Sequence, residues 1–201
     1  MNKLDTIFAG TATPADYARA YADHLVELLQ QLDPDAVGEL IAQFLEAREN
    51  GKKIFFFGNG GSAATASHFA NDIAIGTRTL DKPFRALSLT DNVAVLTAIA
   101  NDDGYDHIFV QQLQNLMEPG DIVVAISASG NSTNVVMALE HAKQSGNLTI
   151  ALTGFSGGRM KEIADVCVHI QTDAGEYGPV EDMHMVLDHL IGSYLMRAVQ
   201  N

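Results

Sequence analysis

From about residue 51 onward, short uninterrupted apolar runs alternate with stretches whose apolar positions recur at helical spacing. The runs are 53–57, 85–89, 121–126, 148–152 and 166–170. Each is continuous rather than alternating, as expected of parallel strands covered on both faces. The segments between and after them, 62–76, 92–101, 105–117, 132–145, 157–164 and 181–199, predict helices. Strand–helix alternation of this kind predicts an α/β fold with a doubly wound, mainly parallel five-stranded sheet. The first fifty residues read differently. Tyr17, Tyr21, Leu25, Leu28 and Leu32 share one helical face after Pro14. Asp33 and Pro34 then open a second helix carrying Val37, Ile41, Phe44 and Leu45, which fades at Asn50-Gly51. The reading is one domain over 1–201, with 1–50 as an N-terminal helical extension. The last helix carries Met183, Val186, Leu187, Leu190, Ile191, Tyr194 and Leu195. Such a wide apolar stripe either covers the sheet or joins the N-terminal helices across a symmetric interface.

Two turns carry the candidate chemistry. Gly58-Asn59-Gly60-Gly61-Ser62 follows the first strand, and Ser127-Ala128-Ser129-Gly130-Asn131-Ser132 follows the third. A strand, a Gly/Ser/Asn turn and a helix in that order place free N–H groups and hydroxyls at a helix N-terminus, which suits an anion. Neither turn reads G-x-G-x-x-G or G-x-x-x-x-G-K-[ST], which disfavours dinucleotides and triphosphates. Serines without a lysine point to a small phosphorylated metabolite.

Charge limits the partners. Twelve Lys+Arg stand against 25 Asp+Glu, a net charge of −13. That argues against nucleic acid and anionic membranes as partners, but not against a local anion site built from amides. Cys167 is the single cysteine and sits in an apolar run, so a buried inert thiol and a reducing compartment are expected. The N-terminus lacks a basic region followed by an apolar stretch, and no run approaches roughly 18 apolar residues, so a cytoplasmic location is expected.

His68 and Asp72 lie one helical turn apart on one face, where they can share a metal ion or form an acid/base pair. A second cluster, Glu181-Asp182-Met183-His184 and then Asp188-His189, begins the last helix. On a regular helix Glu181 and His189 are about 12 Å apart along the axis. They meet at one atom only if Glu181 precedes the helix or one of them comes from another subunit. His24, His107, His141 and His169 read as ordinary surface or partly buried residues. Asn101-Asp102-Asp103-Gly104 reads as a helix end and turn.

Taken together, Phe57 to Ser62, His68-Phe69-Ala70, Ala100-Asn101-Asp102, Ser127 to Ser132, Leu152-Thr153-Gly154 and the His-rich last helix resemble the sugar isomerase (SIS) domain family. Its phosphoheptose isomerase group is the most similar. The resemblance covers nearly the whole chain. It implies a flavodoxin-like fold and a homotetramer with active sites between subunits. It also implies a sugar-phosphate substrate and one Zn²⁺ per subunit. The activity it implies is interconversion of sedoheptulose 7-phosphate and D-glycero-D-manno-heptose 7-phosphate through an enediol. The substrate contacts it implies are Asn59, Gly60, Gly61, Ser62, Asn101, Asp102, Ser127, Ala128, Ser129, Ser132 and Glu181. The metal and acid/base positions fall on His68, Asp72, Glu181 and His189, with Asp72 and His189 as the proton-transfer pair. Asp72 stands where that group usually has Glu, and Glu181 where it usually has Gln. A catalytically silent SIS relative that binds the replication initiator resembles 91–101 too, and a sugar-phosphate-sensing regulator is a third alternative. Retention of Asp72 and His189 favours the enzyme.

Overall fold

Five parallel strands form the centre of the structure, a computed structural model that describes residues 1–200. They are β1 (Lys53–Gly58), β2 (Arg85–Ser88), β3 (Ile122–Ser127), β4 (Leu148–Thr153) and β5 (Val166–His169), ordered β2-β1-β3-β4-β5. In register, Ile54 of β1 stands between Ala86 of β2 and Ile122 of β3. The helices are α1 (Lys3–Gly10), α2 (Pro14–Gln30), α3 (Pro34–Glu49), α4 (Gly61–Asn71), α5 (Val93–Asp102), α6 (Val110–Leu116), α7 (Thr133–Gln144), α8 (Gly158–Ile163) and α9 (Tyr177–Ala198). The doubly wound parallel fold is the expected one, and each strand lies within two residues of its predicted span.

β1 shows how the sheet is held. Ile54 and Phe56 enter one core with Leu40, Phe44, Phe69 and Leu187, while Phe55 and Phe57 enter the other with Phe109, Leu113 and Leu139. The period of two is present, but both faces are apolar, so the run reads as continuous. Phe56 lies 4.8 Å from Phe69 and 5.9 Å from Phe44 between ring centroids, and Phe57 lies 5.0 Å from Phe109. Each such ring contributes about 1.5–3 kcal/mol by leaving water. α3 is built into the same core as β1 through Leu40 and Phe44.

Four local features differ from the sequence reading. The predicted helix 62–76 ends its α-helical part at Asn71, and Asp72–Gly76 forms one π-helical stretch. The segment 105–117 divides into a 3₁₀ turn, Tyr105–His107, and α6. α9 starts at Tyr177 rather than near 181, because Gly178 and Pro179 fall in its first turn, where proline needs no acceptor for an N–H. α1 was not foreseen. An Asn2–Asp5 capping box opens it, and the N–H of Leu4 donates to the buried carboxylate of Glu176 at 3.1 Å. That carboxylate also lies 3.5 Å from the buried His24 ring. The thiol of Cys167 is half-buried, and burial raises its pKa above the ordinary value.

His184 is completely buried in α9, and neither ring nitrogen reaches a hydrogen-bond partner. Burial lowers its pKa to about 4. The His169 ring adds to the shift, while the nearby Thr153 backbone, short of a full hydrogen bond, offsets it in part. Between about pH 6.5 and 4 the unfolded chain therefore binds a proton that the folded chain does not. The stability at stake is present in full above 6.5 and disappears as pH falls toward 4, on the order of 3 kcal/mol. Urea unfolding at pH 7.5 and pH 4 checks this. His184→Leu is expected to lose clearly less stability on acidification than the parent, and equal losses would contradict the assignment.

Candidate active site

The strand order reverses direction between β1 and β3, the place where open parallel sheets bind ligands. Both Gly/Ser turns leave the sheet there, one at each C-terminal strand end. The first leads into α4 through Gly60, whose φ of +56° few side-chain-bearing residues adopt. No side chain caps α4. At Gly61 a Cβ would meet the carboxylate of Glu181, which would have to move aside.

The second turn is folded by its own serines. The hydroxyl of Ser127 accepts from the Gly130 N–H at 3.2 Å, and that of Ser129 accepts from Asn131 N–H at 3.3 Å. Ser132 occupies the N-cap of α7, yet its hydroxyl makes no cap bond. With α4 and α7 both lacking a side-chain bond from the N-cap residue, two helix N-termini open beside one another.

An amide pair ties the turns together. Asn59 Nδ2 donates to Asn134 Oδ1 at 2.8 Å, and Asn134 Nδ2 donates back to Asn59 Oδ1 at 3.0 Å. Tyr105 Oη–H also donates to Asn59 Oδ1, at 2.9 Å. Asn134 is buried, and its Oδ1 additionally accepts from the Val135 N–H. Beside the pair, Gly58, Asn59, Gly60, Thr97, Ala100 and Tyr105 line part of a cavity of about 210 Å³. Asn101 and Asp102 end α5 next to that wall, exposed, with Asn101 Nδ2 donating to Asp102 Oδ1 at 2.7 Å.

Further along α4 stands the titratable cluster. His68, Asp72, Asp188 and His189 each offer one ligand atom, and the four atoms lie within 4.8 Å of one another. The His68 and His189 rings meet edge to face, 5.2 Å between centroids. His68 Nδ1 is 2.6 Å from Asp188 Oδ2 and 3.8 Å from Asp72 Oδ2. The hydrogen bond with Asp188 raises the His68 pKa above its usual 6.5, against the effect of partial burial. Burial pushes the Asp188 carboxyl up to about 6 despite that hydrogen bond. Two imidazoles and two carboxylates are a donor set that suits zinc.

His68, Asp72 and His189 thus come together, as the sequence analysis expected of metal or acid/base partners. Glu181 does not join them within the chain. It stands one turn inside α9, beside Gly61 at the first turn, where burial and the neighbouring Asp182 raise its pKa. Asp188 occupies the place in the cluster instead. Sequence reasoning gave no role to Asp188, Asn134 or Tyr105. Asn134 and Tyr105 pair with Asn59 across 75 and 46 residues, a separation no local pattern records.

If the Asn59–Asn134 pair couples the two turns, a double-mutant cycle with Asn59→Ala and Asn134→Ala should return a coupling of about 0.5–3 kcal/mol in unfolding free energy. Additive single-variant losses would mean that the turns are held independently.

The SIS domain family matches residues 16–154, more than half of the chain. A phosphoheptose isomerase of Akkermansia muciniphila is 40% identical over 168 residues, covering 83% of this chain and 86% of the relative. A probable phosphoheptose isomerase of Thermoplasma acidophilum is 38% identical over 174 residues, covering 87% and 94%. Among solved structures, the phosphoheptose isomerase of Neisseria gonorrhoeae superposes with a TM-score of 0.81 at 31% identity, over 91% of this chain and 98% of that one. That of Francisella tularensis gives 0.79 at 27% identity, over 98% and 100%. With its strand order, its paired turns and these relatives in agreement, the chain belongs to the SIS domain family, and its similarity there is to the phosphoheptose isomerases.

Proposed function

We propose that this chain, as one SIS domain with residues 1–50 as its helical extension, is a ketose–aldose isomerase that interconverts sedoheptulose 7-phosphate and D-glycero-D-manno-heptose 7-phosphate. The observation that carries the reading is the gathering of His68 of α4, the helix that opens at the first turn, Asp72 just past its end and His189 of α9. Isomerisation needs a base to take a proton from C1 of the ketose, giving a cis-enediol, and to return a proton at C2. A second group moves a proton between O1 and O2. Asp72 and His189 have the chemistry for both roles. Ser127, Ser129 and Ser132, with the free amides of α7, hold the phosphate, and Ala128 lets the backbone approach it. Asn59, Gly60, Gly61, Ser62, Asn101, Asp102 and Glu181 are proposed to line the sugar chain. Anchoring the phosphate fixes the open-chain sugar for proton transfer at the far end.

His68, Asp72 and His189, with Asp188 behind His68, fit a zinc ion, one per subunit. When bound, it supplies Lewis-acid polarisation of the carbonyl. Glu181 is better placed for substrate than for this ion. A homotetramer is supported by the exposed stripe Val186, Leu190 and Tyr194 of α9, beside exposed Val26 and Leu29 of α2. Among the described residues no helix is long and apolar enough to cross a membrane. A cytoplasmic place in lipopolysaccharide-precursor synthesis goes with the proposed activity.

Steady-state kinetics with sedoheptulose 7-phosphate test the division of labour. Asp72→Asn and His189→Asn should each lower kcat by about 10²-fold or more, as general acid–base groups do, with KM little changed. Ser129→Ala combined with Ser132→Ala should instead raise KM. Parent-like kcat in both acid–base variants would remove the assignment, and an unchanged KM in the serine variant would move the phosphate elsewhere.

A further inference from the structure

Asp188 is the member of the cluster with no role so far. Its side chain is completely shut from solvent, although it is a carboxylate. Oδ1 has no hydrogen-bond partner among the described residues, and Oδ2 faces His68 Nδ1 at 2.6 Å. Burying a carboxylate is costly unless it is paired or hydrogen-bonded. Here the His68 ring is its one such contact of hydrogen-bond length. α9 holds the group in place, since Leu187 before it is locked in the core and Ile191 follows one turn later.

Two roles are open to such a carboxylate, and distance separates them. Ligands of one tetrahedral zinc, each about 2.0–2.1 Å from the ion, stand about 3.3 Å apart. A separation of 2.6 Å is instead that of a short charge-assisted hydrogen bond. Asp188 is also sealed inside, whereas the His68 side chain keeps 43% of its exposure. A neutral imidazole carries one ring proton. If Nδ1 holds it, Nε2 is left with the lone pair that binds a cation. Asp72 Oδ2, 3.8 Å from the same Nδ1, is beyond hydrogen-bond reach and stays free for other work.

We propose that Asp188 is a positioning residue: its Oδ2 accepts the Nδ1–H of His68, fixes that tautomer and ring orientation, and thereby presents Nε2 as the metal-binding nitrogen. The metal-binding half of this inference rests on the zinc reading above, while the tautomer half does not.

The test is long-range ¹H–¹⁵N NMR of the metal-free, full-length protein labelled at histidine, at a pH where His68 is neutral. In the parent, the His68 proton is expected on Nδ1. In Asp188→Leu, an apolar replacement of similar size that removes the acceptor, it is expected mainly on Nε2, the tautomer a free histidine side chain favours. Zinc affinity, measured by competition with a chelating dye, should fall about 10–100-fold in the same variant, as for other carboxylates that orient a metal-binding histidine. A parent His68 protonated on Nε2 overturns the proposal without any variant. So does an unchanged tautomer, or an unchanged zinc affinity, in Asp188→Leu. If that variant does not fold, Asp188→Asn serves, and its Nδ1–H fraction should drop below that of the parent, because an amide can donate to Nδ1 as well as accept from it. A parent that binds no zinc removes the metal reading alone, and the tautomer then decides the case of Asp188.

Discussion

Parallel strands cannot be joined by tight turns, so every connection must cross a face of the sheet and end in a helix that starts where a strand stops. In the order β2-β1-β3-β4-β5, the chain leaves β1 to one side and β3 to the other. The starts of α4 and α7 are therefore neighbours with nothing threaded between them. That one constraint produces the proposed anion site. It supplies two uncapped helix N-termini, each preceded by a turn too tight for ordinary side chains. At Gly130, with φ of +65°, a Cβ would run into the carbonyl of Gly157. The Asn59–Asn134 amide pair then locks the two turns at a fixed spacing.

The same geometry explains how a chain of net charge −13 can bind a phosphate. Long-range repulsion between exposed charges fades over about 10 Å in physiological salt. In the proposed reading, the charges nearest the phosphate are the partial positive ones of the amides at the start of α7. Asp72 and Asp188 stand at a second location against two histidines, while the Glu181 carboxylate lies beside Gly61 at the start of α4. His68 itself stands about two turns, roughly 11 Å, along α4 from the start of that helix. An extended seven-carbon sugar phosphate needs a separation of that order between its phosphate and its C1–C2 end.

Much of this was legible in the residues. Ile54 to Phe57 and Ile122 to Ile126 are apolar throughout because both sheet faces are covered, and the Gly/Ser turns after them mark where the strands stop. His68 and Asp72 are one turn apart in any helix, and the π-helical stretch begins only at Asp72. The misses share a cause, which is that they depend on contacts between distant segments or on burial too slight to leave a pattern. α1 buries no residue fully and is held by Glu176, so its short run carried little periodic signal. Glu181 begins the predicted helix 181–199, whereas it occupies the second turn of α9, because Tyr177 to Val180 already belong to that helix. Asp188 lies beside His189 in sequence but acts across a helix pair, and a carboxylate among Leu187, Leu190 and Ile191 announces burial only once α9 is seen against α4.

The central claim is that phosphate anchoring at the paired turns delivers the C1–C2 end of a ketose to His68, Asp72 and His189. Incubating the full-length protein and zinc with sedoheptulose 7-phosphate in deuterated water, and following the sugar by ¹H and ¹³C NMR, tests it most directly. The account predicts conversion to D-glycero-D-manno-heptose 7-phosphate, with enzyme-dependent deuterium at the carbon that receives the proton. A ketose that binds the protein yet remains unconverted and unlabelled, with and without zinc, would contradict it.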